Sequence, residues 1–462
     1  MLLFSFRGCA APLILSLAPL LLSCNDTAGT LHLSIVTAPN SDLMARASQI
    51  RLTLSDPKTV RVVDKQGGGF ALDLDLTVAA QRATLRIEAL DAASQVLAWG
   101  ETPPLVLGPI TADLAVFIAP AQTFATAPVA FASARSQMGV AGLSFGVLFV
   151  GGVDASGSAR DDVTIYNAFT HAFQIGKSLP QPRVGPTVAA NGTKYAYIVG
   201  GDDPAHAPAV SGWLYDTGVA PNGAYFDLSA TLPAPLGQLA LPLAATGTNR
   251  FVLSGPMAGV LDGATLRETA IAPAIGVPAQ GATVISASVN AYFVGDRGAA
   301  SAIVKVDAAG LASELPDIPS LHRTGHAVVA RGADLLIVGG GATANLASSI
   351  VKVDTATMTA TSFDAVLSPP RRGAAVALAD GGRWLVVAGG TDATDSGPGT
   401  VLQTADVFDA ATMMRVATVP LAHARTAASA TTLANGQILL AGGVDATGAP
   451  IAELELFTPT ER

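Results

Sequence analysis

Short apolar runs that end in glycine recur along the second part of this chain. Seven such runs are present, and their first glycines follow one another at similar intervals. Each run is rich in Val, Ile and Leu and is bounded by turn-forming residues, which is typical of β-strands. A repeated sheet of this length cannot bury both faces alone, whereas radial stacking of such sheets does. The first glycines are Gly151, Gly200, Gly255, Gly295, Gly339, Gly389 and Gly442.

Five of the runs end in a Gly-Gly pair. A glycine in a strand often marks a place where a β-carbon would crowd a neighbouring chain, so we interpret the pairs as structural strand ends rather than a ligand loop. The first pair precedes Asp154-Ala-Ser-Gly-Ser158, which predicts a hairpin turn, with weak calcium binding as the alternative. The pairs are Gly151 and Gly152, Gly200 and Gly201, Gly339 and Gly340, Gly389 and Gly390, and Gly442 and Gly443.

An arginine precedes the glycine at a nearly constant distance in five of the units. A second apolar run follows each glycine and ends as in Ile165-Tyr-Asn167 or Leu214-Tyr-Asp216. Arginines gathered in a ring would favour a carboxylate, a phosphate or an acidic peptide as ligand. Alternatively, each arginine holds backbone carbonyls of its own or the neighbouring sheet. The arginines are Arg135, Arg183, Arg323, Arg372 and Arg425.

An arginine, a strand closing in Gly-Gly and a strand ending in Tyr-Asp, repeated with a period of about 50, resemble the kelch repeat. The resemblance covers roughly residues 130–462 and implies a β-propeller of four-stranded blades; we predict seven blades, with six or eight as alternatives. The units at Gly255 and Gly295 keep one glycine and lack the arginine. Galactose oxidase, in the same superfamily, needs a copper site with a Tyr cross-linked to a Cys. No cysteine follows Cys24, so that site cannot form here. We predict no metal and no cofactor.

Residues 1–23 resemble the signal peptide of a bacterial lipoprotein. Arg7 precedes an apolar stretch, residues 10–22, that is too short to span a bilayer. The following Leu21-Leu-Ser-Cys24 resembles a lipobox. This resemblance implies cleavage before Cys24, lipidation of that cysteine and attachment to a membrane of the cell envelope. An ordinary secretory signal that contains a cysteine is the alternative.

The segment between the signal and the repeats has a different pattern. Residues 24–112 alternate apolar and polar positions over several short stretches, as half-buried antiparallel strands do. We predict an immunoglobulin-like β-sandwich for 24–112, a linker with a propeller-closing strand for 113–129, and the propeller for 130–462. Either 115–118 or 122–124 is placed to supply the closing strand, because the last unit stops after its third strand.

Composition and motif-like strings argue against several classes of function. Of the 462 residues 50% are hydrophobic and 13% are charged, and the net charge of −9 comes without a basic tract, which argues against a nucleic-acid partner. Gly142-Leu-Ser-Phe-Gly146 fits the nucleophile-elbow pattern, but it lies between two strands and no helix follows, so we interpret it as a turn. His322 and His326 are interpreted as structural.

The sequence therefore predicts an all-β, monomeric envelope lipoprotein whose propeller is a non-catalytic module for binding a protein or a carbohydrate. Fold alone does not set function, so no catalytic residue is assigned. The alternative is a carbohydrate-active hydrolase or epimerase that uses rim carboxylates and arginines. Two acidic side chains about 5–10 Å apart would favour that enzyme. A surface protein with a purely structural role would show no concave polar site.

Overall fold

The structure is a computed structural model in which the chain forms two compact units. The N-terminal unit comprises Met1–Ala121, Asn167–Ala172 and Thr460–Arg462, and the C-terminal unit comprises Gln122–Tyr166 and Phe173–Pro459. The structure describes residues 2–7, 30–66, 70, 75–77, 82–106, 112–190, 194–209, 211–228, 243–245, 250–253, 259–262, 267–271, 283–287, 290–296, 301–342, 345–394 and 397–460.

Strands and one short helix form the described part of the N-terminal unit. They pair into two four-stranded sheets, in the orders β10-β2-β1-β5 and β4-β3-β7-β8, and a two-stranded sheet, β6-β9. The elements are β1 (Leu2–Arg7), β2 (Thr30–Val36), α1 (Leu43–Arg46), β3 (Gln49–Leu54), β4 (Thr59–Asp64), β5 (Asp75–Thr77), β6 (Arg82–Ala83), β7 (Leu85–Leu90), β8 (Val96–Glu101), β9 (Leu105–Val106) and β10 (Ala112–Phe117).

One hydrophobic core joins the two larger sheets of this unit. Alternate residues of β3 are buried, namely Ile50, Leu52 and Leu54, and those between them are half-buried. These three pack in one cluster with Leu33 of β2 and Val116 of β10. The period of two that the sequence shows is therefore the period of burial, as a sheet with one covered face requires.

The described part of the C-terminal unit is built from short strands and two 3-10 turns, Pro319–Leu321 and Asp380–Gly382. The strands are β11 (Thr123–Ala130), β12 (Arg135–Ser136), β13 (Gly139–Leu143), β14 (Gly146–Val150), β15 (Val153–Asp154), β16 (Val163–Asn167), β17 (Ala172–Ile175), β18 (Thr187–Ala190), β19 (Tyr195–Val199), β20 (Gly212–Asp216), β21 (Ala224–Asp227), β22 (Leu243–Ala245), β23 (Arg250–Leu253), β24 (Gly259–Asp262), β25 (Arg267–Ala270), β26 (Thr283–Ala287), β27 (Asn290–Asp296), β28 (Ser301–Val306), β29 (Ala312–Glu314), β30 (Ala327–Arg331), β31 (Asp334–Val338), β32 (Gly341–Ala342), β33 (Asn345–Leu346), β34 (Ile350–Asp354), β35 (Thr359–Phe363), β36 (Ala375–Ala379), β37 (Trp384–Ala388), β38 (Thr404–Asp409), β39 (Arg415–Pro420), β40 (Ser429–Thr432), β41 (Ile438–Ala441) and β42 (Glu453–Thr458).

Most of these strands form four-stranded sheets. The described residues of the C-terminal unit contain seven such sheets. In chain order they are sheet 1 (β13-β14-β16-β17), sheet 2 (β18-β19-β20-β21), sheet 3 (β22-β23-β24-β25), sheet 4 (β26-β27-β28-β29), sheet 5 (β30-β31-β34-β35), sheet 6 (β36-β37-β38-β39) and sheet 7 (β40-β41-β42-β11). The first strands of successive sheets, β13, β18, β22, β26, β30, β36 and β40, contact one another in that order, and β40 also contacts β13.

Sheet 7 takes its fourth strand from the other end of the unit. Strand β11 pairs antiparallel with β42, with Thr123 opposite Thr458 and Phe124 opposite Phe457. Of the two segments considered for this role, 122–124 therefore contains the first two residues of the pairing strand. The other, 115–118, belongs mostly to β10 and extends the N-terminal unit.

The division between the units differs from the one expected at 112–113. It lies between residues 121 and 122, because β10 pairs in parallel with β2, with Ala112 opposite Leu31 and Phe117 opposite Val36. That pairing joins segments from the two ends of the unit, and the local pattern around 112 carries no sign of it.

The all-β prediction is confirmed, since α1 is a single turn and the remaining regular elements are strands and 3-10 turns. Within the residues described above, no helix has the length and apolar character needed to cross a membrane. Cys24 lies outside those residues. Residues 2–7, inside the segment assigned to the signal peptide, form β1 and pair with β2 and β5.

Candidate functional site

The repeated arginines are enclosed in the protein. Arg135 donates to the carbonyl oxygens of Gly151 and Asp162 at 3.1 and 2.9 Å, and to the Thr164 hydroxyl at 2.9 Å. Arg425 likewise donates to the Gly442 carbonyl at 3.2 Å. Arg135, Arg183, Arg323 and Arg425 are each no more than 3% exposed. These four guanidiniums therefore lie within the protein, and of them Arg135 also borders the cleft described below.

The fourth arginine of the series is Arg371, not Arg372. Arg371 is 1% exposed, donates to the Gly389 carbonyl at 3.3 Å and pairs with buried Asp406 at 2.8 Å, whereas Arg372 is half-buried. Two consecutive arginines made the spacing ambiguous by one position. The backbone resolves it, because the residue two positions after each buried arginine has a positive φ. Those residues are Gln137, Gly185, Gly325, Gly373 and Ala427, with φ of 51–66°.

The paired glycines connect successive sheets. All ten have a positive φ, which a glycine adopts without steric cost. A β-carbon on Gly151 would lie 2.7 Å from the carbonyl oxygen of Arg183 in the next repeat, and the N–H of Gly152 donates to that same oxygen at 2.8 Å. Gly340 and Gly390 repeat this bond with the carbonyls of Arg371 and Arg425.

The aspartates that follow the first and last Gly-Gly pairs accept hydrogen bonds from residues of their own turns. One oxygen of Asp154 accepts the N–H groups of Ser156 and Ser158 and the Ser156 hydroxyl, at 2.9, 3.1 and 2.6 Å. Asp445 accepts three bonds in the same way from Thr447 and Ala449. These bonds, led by the one from the Ser156 or Thr447 hydroxyl, lower the pKa of both carboxyls. The arrangement is a hydrogen-bonded hairpin turn.

The other motif-like residues lie in turns or have hydrogen-bond partners within the protein. Ser144 lies in the turn between β13 and β14. His322 is paired with Asp317 at 2.7 Å, and the Nδ1 of His326 is 3.2 Å from the Arg323 carbonyl oxygen. Among the side chains that the structure describes, no group of three or more His, Cys, Asp or Glu is placed to hold a metal ion.

A cleft of about 270 Å³ lies beside sheet 1. Phe173 and Ile175 of β17 form one apolar wall, and the stretch that follows β11, including Phe131, forms another. The rings of Phe131 and Phe173 stack at 5.2 Å, and Ile175 is 69% exposed. The Arg135 guanidinium lies 5.2 Å from the Phe131 ring centre. The walls therefore offer an apolar surface with a buried cation behind it.

Charged groups border the same cleft. Arg160 joins two carboxylates, with its Nε 2.8 Å from Asp162 and its Nη1 3.5 Å from Asp154. Arg135 lies 3.9 Å from Asp162. Burial raises the pKa of Asp162, but the bond from Arg160 and the charges of both arginines outweigh burial and lower it. Asp154 lies behind Arg160 rather than in the lining, and with it the two arginines and two aspartates of this network balance in charge. The cleft therefore suits a neutral ligand with hydrogen-bonding groups.

Sequence reasoning missed this cleft. Its parts come from three separate stretches, around residues 131, 160 and 173, which only the fold brings together. One local signal was present: Arg160-Asp-Asp162 is a run of three charges in a chain of which 13% is charged. It directly precedes β16, at the position where the other units carry uncharged residues.

Comparison with known proteins adds little to this geometry. A scan against protein-family models and a search of curated proteins both found no match. Solved structures do match. One titled "Structure of YjhT" is similar at 12% identity, covering 71% of this chain and 96% of that chain, with a TM-score of 0.45. The strand pairing described above, rather than this likeness, defines the architecture.

Proposed function

We propose that this chain is a lipid-anchored envelope protein whose C-terminal unit is a seven-bladed, kelch-like β-propeller that binds a ligand without catalysis. The N-terminal unit is then an immunoglobulin-like sandwich that acts as a spacer. The observation that carries the binding function is the cleft beside sheet 1, with apolar walls and an edge where Arg135 and Arg160 are balanced by Asp162 and Asp154.

The contacts between first strands support the propeller. Each first strand contacts the next, and the contact between β40 and β13 returns to the start. In such a ring each four-stranded sheet is one blade, and β11 is the outer strand of the last blade. The bonds from Gly152, Gly340 and Gly390 to arginine carbonyls of the following repeat are what neighbouring blades require.

The chemistry of the cleft supports binding. Pockets for small ligands are mostly apolar with a few placed polar groups, and this one combines two phenylalanines and an isoleucine with an Arg–Asp pair. Its volume of about 270 Å³ is near the lower limit for ligand pockets, so it suits one ring or one side chain of a larger ligand. Since the charges of Arg135, Arg160, Asp162 and Asp154 cancel, we propose a neutral carbohydrate or an uncharged peptide segment as ligand.

The test uses the full chain in detergent micelles and two probe sets: neutral pyranosides, and dipeptides with blocked termini and an apolar residue. Saturation-transfer NMR should show binding of at least one set. Ile175→Glu should weaken it at least tenfold, because it puts a charge on the apolar wall. Val416→Glu is the matched control, since Val416 is an exposed residue on β39, the equivalent outer strand of sheet 6.

Failure of both probe sets to bind, or equal binding by the two variants, would contradict the proposal for this cleft. Hydrolysis or epimerisation of a pyranoside probe by the chain would instead favour the alternative, a carbohydrate-active enzyme.

The anchor is tested separately. Lipidation of Cys24 requires its thiol, so Cys24→Ser in the full-length precursor should move the protein from the membrane fraction to the soluble fraction. Cys9→Ser is the matched control, because Cys9 would be removed with the signal and its loss should change nothing. Unchanged membrane partitioning of Cys24→Ser would end the lipoprotein proposal.

A further inference from the structure

One register position recurs opposite the strand that ends in glycine. In sheets 2, 5, 6 and 7 the second residue before the first glycine has a partner on the third strand. Leu440 is opposite Glu455, Val387 is opposite Asp406, and Ile198 is opposite Trp213. In sheet 5 the same position pairs Ile337 with Val351. The third strand therefore presents a different residue to the arginine in each of these repeats.

Three of these residues interact with the arginine of their repeat. Asp406 pairs with Arg371, and Glu455 with Arg425, each at 2.8 Å with both side chains fully buried. The Arg183 guanidinium lies 4.7 Å from the Trp213 ring centre. A carboxylate or an aromatic face is a favourable neighbour for a buried guanidinium, and Val351 of sheet 5 is neither.

Arg323 of sheet 5 is consequently a buried cation with unused donors. It is 3% exposed, and its Nη1 donates to the Ser349 hydroxyl at 3.1 Å. Its Nε and Nη2 are both buried and have no hydrogen-bond partner in the protein. Burial lowers the pKa of Arg323 to about 10, and the charge of Asp364 acts against this; the group still carries its proton at neutral pH.

A buried charge with no counter-charge in contact is among the least favourable arrangements in a protein, and so is a buried donor without an acceptor. Arg323 combines the two at two neighbouring nitrogens, in a position where the related repeats supply a carboxylate. The neighbouring Nε and Nη2 of a guanidinium together suit one compact acceptor of negative charge.

We propose that Arg323 binds a small anion of the halide class from solvent, held by Nε and Nη2 beside Val351 in sheet 5. This anion takes the place that the carboxylates of Asp406 and Glu455 take in sheets 6 and 7. The site lies in the interior of the C-terminal unit and is independent of the ligand cleft in sheet 1.

The experiment uses the full chain in sodium chloride and in sodium gluconate at equal ionic strength, since gluconate is a much larger anion than chloride. Raising chloride from about 1 to 100 mM should raise the melting temperature by roughly 2–4 °C more than gluconate does. Val351→Asp places a carboxylate beside Arg323 at nearly the same side-chain volume, so its melting temperature should respond equally to both salts. Val351→Thr, which adds no charge, should keep the chloride response.

Crystals grown in bromide give a second measurement that does not depend on a variant folding. The expected result is an anomalous peak within about 3.5 Å of Arg323 Nε and Nη2. Equal melting in chloride and gluconate, a chloride response that persists in Val351→Asp, or the absence of that peak would each overturn the proposal. Water would then be the partner of Arg323.

Discussion

Arg371 and Arg372 show how far single residues can be assigned from this sequence. A nearly constant spacing from the glycine was enough to find the arginines of four repeats, but it could not choose between two adjacent ones. The deciding property is the backbone: Gly373, two positions after Arg371, has a φ of 61°. An arginine followed two positions later by glycine is the sharper pattern, and Arg183 and Arg323 also satisfy it.

This assignment predicts that substitutions at two neighbouring arginines differ greatly in their effect on the free energy of unfolding. Arg371→Ala leaves the fully buried carboxylate of Asp406 without its main counter-charge, so it should lower the free energy of unfolding by about 3–5 kcal/mol. Arg372→Ala should cost within about 1 kcal/mol, because that side chain is half-buried. Urea unfolding followed by circular dichroism measures both. Equal losses would show that Arg371 does not have the structural role described for it.

At the scale of strands, the sequence predicts the positions of strands well. It predicts poorly which strands pair when they are far apart in the chain. The runs at Gly151, Gly339 and Gly442 are strands, as is favoured for short runs rich in Val, Ile and Leu that are bounded by turns. The parallel pairing of β10 with β2 and the pairing of β11 with β42 depend on partners that are remote in the sequence. The pattern therefore located the strands but not the boundary between the units.

The pairing of β11 with β42 predicts a contribution to stability from a side chain outside the repeats. The rings of Phe124 on β11 and Phe457 on β42 are 5.2 Å apart, and Phe124 packs against the core shared by sheets 6 and 7. Phe124→Ala should therefore lower the free energy of unfolding by about 2–4 kcal/mol. The control is Phe226→Ala on β21, another fourth strand, where the ring is 51% exposed and the expected loss is below about 1 kcal/mol.

The measurement is again a urea unfolding curve for each variant. If Phe124→Ala costs no more than Phe226→Ala, β11 is not an integral strand of sheet 7.

For the molecule as a whole, stability should depend on pH through His171 of the N-terminal unit. The imidazole is 2% exposed and its Nε2 accepts the N–H of Phe117 at 3.3 Å, which requires a neutral ring; burial lowers its pKa to about 4. The unfolded chain binds this proton near pH 6.5, so the contribution is full above about pH 6.5. It falls by about 3 kcal/mol as the pH drops to about 4.

Substitution by Asn separates this group from the others that titrate. His171 and the exposed His206 both have a positive φ, of 49° and 58°, which Asn tolerates. His171→Asn should flatten the fall in unfolding free energy between pH 6.5 and 4, and His206→Asn should leave it unchanged. A fall of the same size in His171→Asn would mean that another group is responsible.

The pairing of β11 with β42 also affects the order in which this unit folds during synthesis. Residues 123–130 are synthesised long before residues 453–458. During synthesis β11 therefore has no pairing partner until the six intervening sheets have been made. Pairing of strands so far apart in the chain is slow, because the loop to be closed is long. Until that last pairing forms, the free edges of β11 and of the nascent sheet 7 are exposed to proteases and to other chains. The last sheet of this unit is therefore completed only after residues 453–458 have been synthesised.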